Sequence, residues 1–229
     1  RETISDQQRA GALQCVQSPI TFINCPSRRP SEPIPFGWSG FSSGYQAQNA
    51  ANAFSAGRTD YAGNGGDSGL DHGSGPGSLS AGLARGSEDN SAAFTGVTFD
   101  RSMIRLAQIT DGTSNTYFAG EKYLNPEHYL TGGDAADNET WCTGWNNDNF
   151  RIAGDCDPNR GCTANQYIPP LPDTPGFQSS VRFGSAHPAT FHVVHCDGST
   201  RGISYDIDPE THRRLANRED SETIDASAF

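Results

Sequence analysis

Apolar residues recur with helical or alternating spacing in only a few short stretches of this chain. Ala10, Leu13 and Val16 fall on one side of a helix read over residues 7–16. Residues 20–24 alternate and predict a strand, stopped by Pro26, and residues 59–62 predict another. Met103, Leu106 and Ile109 stand at helical spacing and predict one or two turns. Asp111-Gly112 then turns the chain, Thr113, Ser114 and Asn115 can fix that turn through the backbone, and residues 116–119 predict a buried strand. The longest patterned stretch lies near the C-terminus. Thr190, Phe191, Val193 and Val194 lead into Asp197-Gly198, and Thr200, Ile203 and Tyr205 lead out, which predicts a tight hairpin. A two-residue loop sets Cys196 opposite Ser199, Val194 opposite Arg201 and His192 opposite Ile203. Asp208-Pro209-Glu210 then starts a helix, with Asp as cap and Pro at the first helical position, running over residues 211–216 to Asn217.

Two long stretches lack periodicity and read as excursions, at about 63–93 and 125–180. The first carries Gly63, Gly65, Gly66, Gly69, Gly73, Gly75 and Gly77, and no Lys follows at the spacing of a phosphate-binding loop. Gly66-Asp67-Ser68-Gly69 resembles the nucleophile segment of trypsin-like proteases, but no His precedes Ser68 and Leu70 stands where that family has Gly. The second excursion is rich in Asp and Asn and reads as a solvated loop held by a disulfide, with Trp141 and Trp145 packing it. Asp155, Asp157 and Asn159 give the alternating oxygen donors of a candidate calcium site. It is not an EF-hand, because Arg160 stands at the glycine position and Gln166 where a bidentate Glu is required.

Composition narrows the classes. Apolar residues make up 34% of 229, with 26 Gly and 14 Pro, so loops hold much of a single domain spanning residues 1–229. A net charge of −11 argues against nucleic acid and anionic membrane surfaces as partners. Of the six cysteines, Cys15, Cys25, Cys142, Cys156 and Cys162 are disulfide candidates, and Cys196 reads as a buried free thiol. A bridge is expected among Cys142, Cys156 and Cys162, and Cys15 could pair with Cys25. No C-x2-C occurs, so common zinc and iron–sulfur spacings are missing. His192 and His195 have odd separation on one strand and cannot easily share a metal. His187 reads as structural, its ring bonding the Asp197 turn or nearby backbone. Glu121 reads as structural too, bonding amides or pairing with an Arg.

His187, nine intervening residues and then Asp197-Gly198 form a signature, and three further blocks accompany it. They are Cys25-Pro26-Ser27-Arg28-Arg29, Arg58-Thr59-Asp60-Tyr61-Ala62-Gly63-Asn64, and Ile109-Thr110-Asp111-Gly112-Thr113-Ser114-Asn115-Thr116 ending at Gly120-Glu121. With these the chain resembles a planctomycete-type prepilin-like family with a His-x9-Asp-Gly C-terminal domain, whose function is unknown. The resemblance implies an α+β, pilin-like fold: an antiparallel β-sheet with short helices and long Gly/Asx-rich loops, here without the family's N-terminal pilin helix. His187, Asp197, Gly198, Asp111, Gly112 and Glu121 are then structural motif residues.

The function expected from this is an exported structural subunit of pilin or pseudopilin type, not an enzyme. It would assemble with copies of itself or other pilin-like subunits at a bacterial cell surface, in the periplasm or outside the cell. Membrane contact would come only through the missing N-terminal helix. The alternatives are a surface module binding calcium or glycan and, behind it, a hydrolase around His187 and Asp197.

Overall fold

The expected C-terminal hairpin forms one side of a five-stranded sheet around which the chain is organised. A computed structural model describes residues 4–47, 49–68, 76–84, 94–156 and 163–225. In chain order the elements are α1 (Asp6–Gln17), β1 (Ile34–Pro35), β2 (Ser55–Ala56), β3 (Tyr61–Gly66), α2 (Leu79–Ala84), β4 (Tyr117–Glu121), β5 (Phe150–Ile152), β6 (Leu171–Pro172), β7 (Gly184–Ser185), β8 (Thr190–His195), β9 (Thr200–Ser204) and α3 (Pro209–Ala216). The main sheet has the order β5-β3-β4-β8-β9, with β5 parallel to β3 and every other pair antiparallel. The fold is mixed α+β, with few and short helices. Among the described residues no helix is long and apolar enough to cross a membrane.

The core lies between the sheet and α3. Tyr117, Phe183, Phe191, Val193, Ile203, Ile207, Leu215 and Ala216 form one buried cluster. Asp208 caps α3 by accepting from the Thr211 N–H at 2.9 Å, and Pro209 follows it. Helix and sheet are joined through buried Asn64, whose side-chain amide donates to the carbonyls of Tyr117 and Ala216 at 2.8 Å each. A second cluster joins Val16 of α1 to Phe36, Ala53 and Ala56.

Several expectations need correction. Residues 20–24 hold a 3-10 turn at Thr21–Ile23 instead of a strand. The Met103 region forms only a 3-10 turn at Leu106–Gln108, with Met103 and Leu106 exposed. Phe118 in β4 is also exposed and Ala119 only partly buried, so that strand is not buried throughout. Residues 63–66 do not begin a loop; they are the last four residues of β3, a strand with a neighbour on each side. A Cβ at Gly63 would meet the Thr98 side chain at 2.6 Å, and one at Gly66 would meet the Gly96 nitrogen at 2.3 Å. Glycine is required there by close approach, and at Gly66 also by a φ of +95°. The remainder of that stretch between 69 and 93 lies outside the described residues except for 76–84.

The hairpin register also differs by one. Val194 pairs with Thr200, Val193 with Arg201 and Phe191 with Ile203. The loop has three residues, because the Gly198 N–H bonds the His195 carbonyl at 2.9 Å and the His195 N–H bonds that of Ser199 at 2.8 Å. Gly198 sits at φ +86°, the left-handed residue of a three-residue hairpin. This register puts Phe191, Val193 and Ile203 together in the core and leaves His192 facing Gly202 on the outer face.

The two Asp-Gly turns lie side by side. Cys196 and Asp197 donate their N–H groups to the carbonyls of Thr116 and Thr113, at 3.0 and 3.1 Å. Asp111 in turn accepts from the Asp220 and Ser221 amides at 2.7 and 2.9 Å, which fastens the segment after α3. The Asp67-Ser68 pair of the protease-like string is buried architecture. Asp67 accepts from Arg213, Asn217 and Thr95.

Candidate functional site

Four sequence blocks meet where β3 and β4 are paired, and each supplies one side chain. Tyr61 opens β3 and is paired with Glu121 at the end of β4. Asp60, one residue earlier, accepts the Cys25 N–H on Oδ2 at 2.8 Å. The β4–β8 ladder runs to Gly120 and Val193. Beyond it the His192 N–H is taken by the carboxylate of Glu121, at 2.7 Å from Oε2. His187 lies in the bend between β7 and β8. Its N–H donates to Ser185 Oγ at 3.0 Å and its carbonyl accepts from the Tyr205 hydroxyl at 3.1 Å, so the backbone is held at both ends.

Asp60 divides two polar clusters. On one side its Oδ1 faces Arg29 at 2.8 Å and Arg28 at 3.3 Å. Arg28 continues to Asp173 at 2.9 Å; Arg29 pairs with Asp137, which also takes Lys122 at 2.9 Å. Three cations thus meet three carboxylates in the interior. Burial by itself would raise the Asp137 carboxyl, but Arg29 and Lys122 outweigh it and hold the group well below the usual carboxylate range. Asp134 and Asp148 are buried as well. Asp134 accepts from the Asn125 and Ala136 amides and Asp148 from that of Glu139. The acidic excursion is therefore not a solvated loop around these residues. Its acids are drawn inside because backbone amides and buried cations satisfy them.

On the other side of Asp60, three unlike donors converge. Cys25 Sγ lies 3.8 Å from His187 Nε2, and Glu121 Oε1 lies 3.4 Å from the same nitrogen. All three donor atoms lie within 4.8 Å of one another, the one such group among the described residues. Cys25 and Glu121 are buried at 3% and 1% exposure, whereas the His187 side chain is 30% exposed. The ring of His192 stands against that of His187, 5.1 Å between centroids, and its Nδ1 is 3.0 Å from Glu121 Oε2. Oε2 is thereby occupied by two nitrogens of His192, and Oε1 is left for His187. Burial first, then the Cys25 thiol and the Glu121 carboxylate, push the Tyr61 phenol upward.

This arrangement is not a nucleophile–base–carboxylate triad. In a triad the carboxylate bonds one imidazole nitrogen and the nucleophile the other. Here both address Nε2. Burial, reinforced by Glu121, also pushes the Cys25 thiol up despite the Ser27 amide, so the thiolate a nucleophile needs is disfavoured.

The expected bond between His187 and the Asp197 turn does not form. Asp197 Oδ1 is spent within the turn, accepting from the Ser199 N–H and Oγ at 2.9 and 2.7 Å. The carboxylate at His187 is Glu121, which the sheet carries there. Glu121 bonds an amide as expected, yet its ion-pair partners are imidazoles rather than an Arg. Cys25 cannot pair with Cys15: it is a buried free thiol beside His187, while Cys15 is exposed on α1. Cys142 and Cys196 are free as well, and Cys156 is disulfide-bonded. Of the candidate calcium ligands, Asp155 is exposed, and Asp157 and Asn159 lie outside the described residues, as does the disulfide candidate Cys162. His192 and His195 do point to opposite faces, the first exposed and the second 1% exposed. The sequence reading missed Cys25 and His192 as members of one site. Its only signal for Cys25 was that the residue opens one of the four blocks.

A family model matches residues 1–210, that of the family described as a protein of unknown function (DUF1559). The chain belongs to that family. No curated protein and no solved structure matches it.

Proposed function

We propose that this domain is the globular part of an exported structural subunit of pilin type, which assembles with copies of itself at or beyond the cell surface. One observation carries the reading. The polar residues of the four blocks are spent mainly on partners inside the molecule. Arg28, Arg29 and Asp60 clamp two loops to the sheet, and Asp111 with the Asp197 turn locks hairpin to tail. Residues invested this way build a rigid head that carries loops. The antiparallel run β3-β4-β8-β9 with its C-terminal hairpin supports the pilin-like comparison. β9 ends the sheet, with Thr200, Gly202 and Ser204 exposed, and so offers an edge on which another copy can pair.

Electron microscopy of the protein isolated from its own cells tests this. A repeating filament or lattice built from the domain is expected. Dispersed monomers under all conditions that preserve the cell surface would overturn the reading.

A further inference from the structure

We propose that Cys25 Sγ, Glu121 Oε1 and His187 Nε2 bind one divalent transition ion of borderline softness, with zinc the best fit, leaving a further coordination position open on the histidine side. The inference goes beyond the assembly reading and does not rest on it.

The spacing of the donors is the first argument. In a tetrahedral site with Zn–S about 2.3 Å and Zn–N or Zn–O about 2.05 Å, the N···O edge is roughly 3.3 Å and the S···N edge roughly 3.6 Å. The corresponding distances are 3.4 and 3.8 Å. Both edges that meet at His187 Nε2 are within a few tenths of an ångström of the tetrahedral values, and the sulfur-to-Oε1 edge lies within 4.8 Å.

Donor chemistry is the second argument. One thiol, one imidazole and one carboxylate suit zinc and its neighbours, whereas calcium takes six to eight oxygens. Charge points the same way. Glu121 is buried, and its ion-pair partners are the imidazoles of His187 and His192. Binding releases the thiol proton, so the ion meets two negative ligands in a dry setting.

The third argument is the support around the donors. Asp60 holds the Cys25 backbone, Ser185 and Tyr205 hold that of His187, and His192 fixes the carboxylate through Oε2. Ligands positioned by such outer contacts are the mark of a built metal site. Entry is from the side of His187 and His192, the two exposed members. Three protein ligands and an open face admit water or an anionic group as the fourth ligand.

The test uses the full chain, freed of metal with a chelator and then titrated with Zn²⁺ or Co²⁺ alone. One equivalent of zinc should bind and raise the melting temperature. Cobalt should develop the intense near-ultraviolet absorption of a thiolate–Co²⁺ bond. Cys25→Ser should abolish that absorption, and His187→Ala should weaken zinc binding by roughly 100-fold or more. His187 is partly exposed, so its variant keeps the test valid if Cys25→Ser does not fold. The Cys15→Ser/Cys142→Ser double variant should retain the absorption. Three results would each overturn the proposal: no thiolate band in the parent chain, a band that survives Cys25→Ser or is lost in the double variant, or unchanged zinc affinity in His187→Ala.

Discussion

Two polar clusters share Asp60 and differ in kind. On the Arg side, Arg28, Arg29 and Lys122 are buried in ion pairs with Asp60, Asp137 and Asp173. On the Cys side, a buried carboxylate faces two imidazoles and a thiol, and one edge is open to solvent. Both sides are built from the same sequence blocks. The paired cations and carboxylates hold parts of the chain together, and a ligand could enter among them only by breaking buried ion pairs. The Cys side gathers unlike donor atoms at an open edge and can take a ligand without breaking such a pair. The difference teaches that polar burial alone does not mark a site; the kind of donors gathered and the access to them do.

The sharpest way to break this contrast is to unbalance the closed side. Asp137→Ala leaves Arg29 and Lys122 buried without their shared carboxylate and should destabilise the protein by about 3–5 kcal/mol. Urea unfolding measures it. A loss below about 1 kcal/mol, the range of an exposed pair, would erase the distinction.

Acid probes the closed interior in another way. His212 is buried under the sheet beside Tyr117, and burial, helped by the Arg182 charge, lowers its pKa to about 3. The unfolded chain binds the His212 proton from about pH 6.5 downward and the folded chain does not until about pH 3. Stability from this group is therefore present above about pH 6.5 and lost as pH falls, at up to about 1.4 kcal/mol per unit. Burial raises Asp148 to about 6, which acts in the opposite direction over the same range. That contribution is common to parent and His212→Gln, so the difference between their metal-free pH–stability curves isolates the histidine. Parallel curves between pH 6 and 4 would refute the assignment.

On the open side, His192→Ala removes the imidazole that holds Glu121 Oε2 while leaving the backbone N–H in place. Zinc affinity should fall about 10- to 100-fold, with the thiolate–cobalt absorption retained. Unchanged affinity would mean that His192 does not position the carboxylate. The smallest effect is expected at the hairpin. Gly198→Ala meets no atom within 4 Å and carries only the strain of φ +86°, so about 1 kcal/mol should be lost and zinc binding kept. A thermal melt and the same titration check both.

Much of the local structure was legible along the chain. Asp208-Pro209 announced α3 because cap and first-turn proline act within a few residues, and Asp197-Gly198 announced a turn for the same reason. The turn's loop length was not legible. Two- and three-residue hairpins share the Asp-Gly signal, and the choice rested on packing Phe191, Val193 and Ile203 against α3. Gly63 to Gly66 looked like a loop because glycine is locally permissive, and only the crowding by Thr98 and Gly96 shows why a central strand needs them.

For the candidate site, the sequence by itself determined the ingredients: Cys25 before a proline, a Glu ending a strand, and His187 before a proline. Their meeting was decided by the tertiary structure. Cys25 and His187 are far apart in the chain and come within 3.8 Å because β3, β4 and β8 pair in one register and Asp60 ties the first block to it. Local spacing can encode a cap or a turn, since those bonds span a few residues. A ligand set drawn from separate strands depends on long-range pairing, whose energy lies in the buried core and not near the ligands themselves.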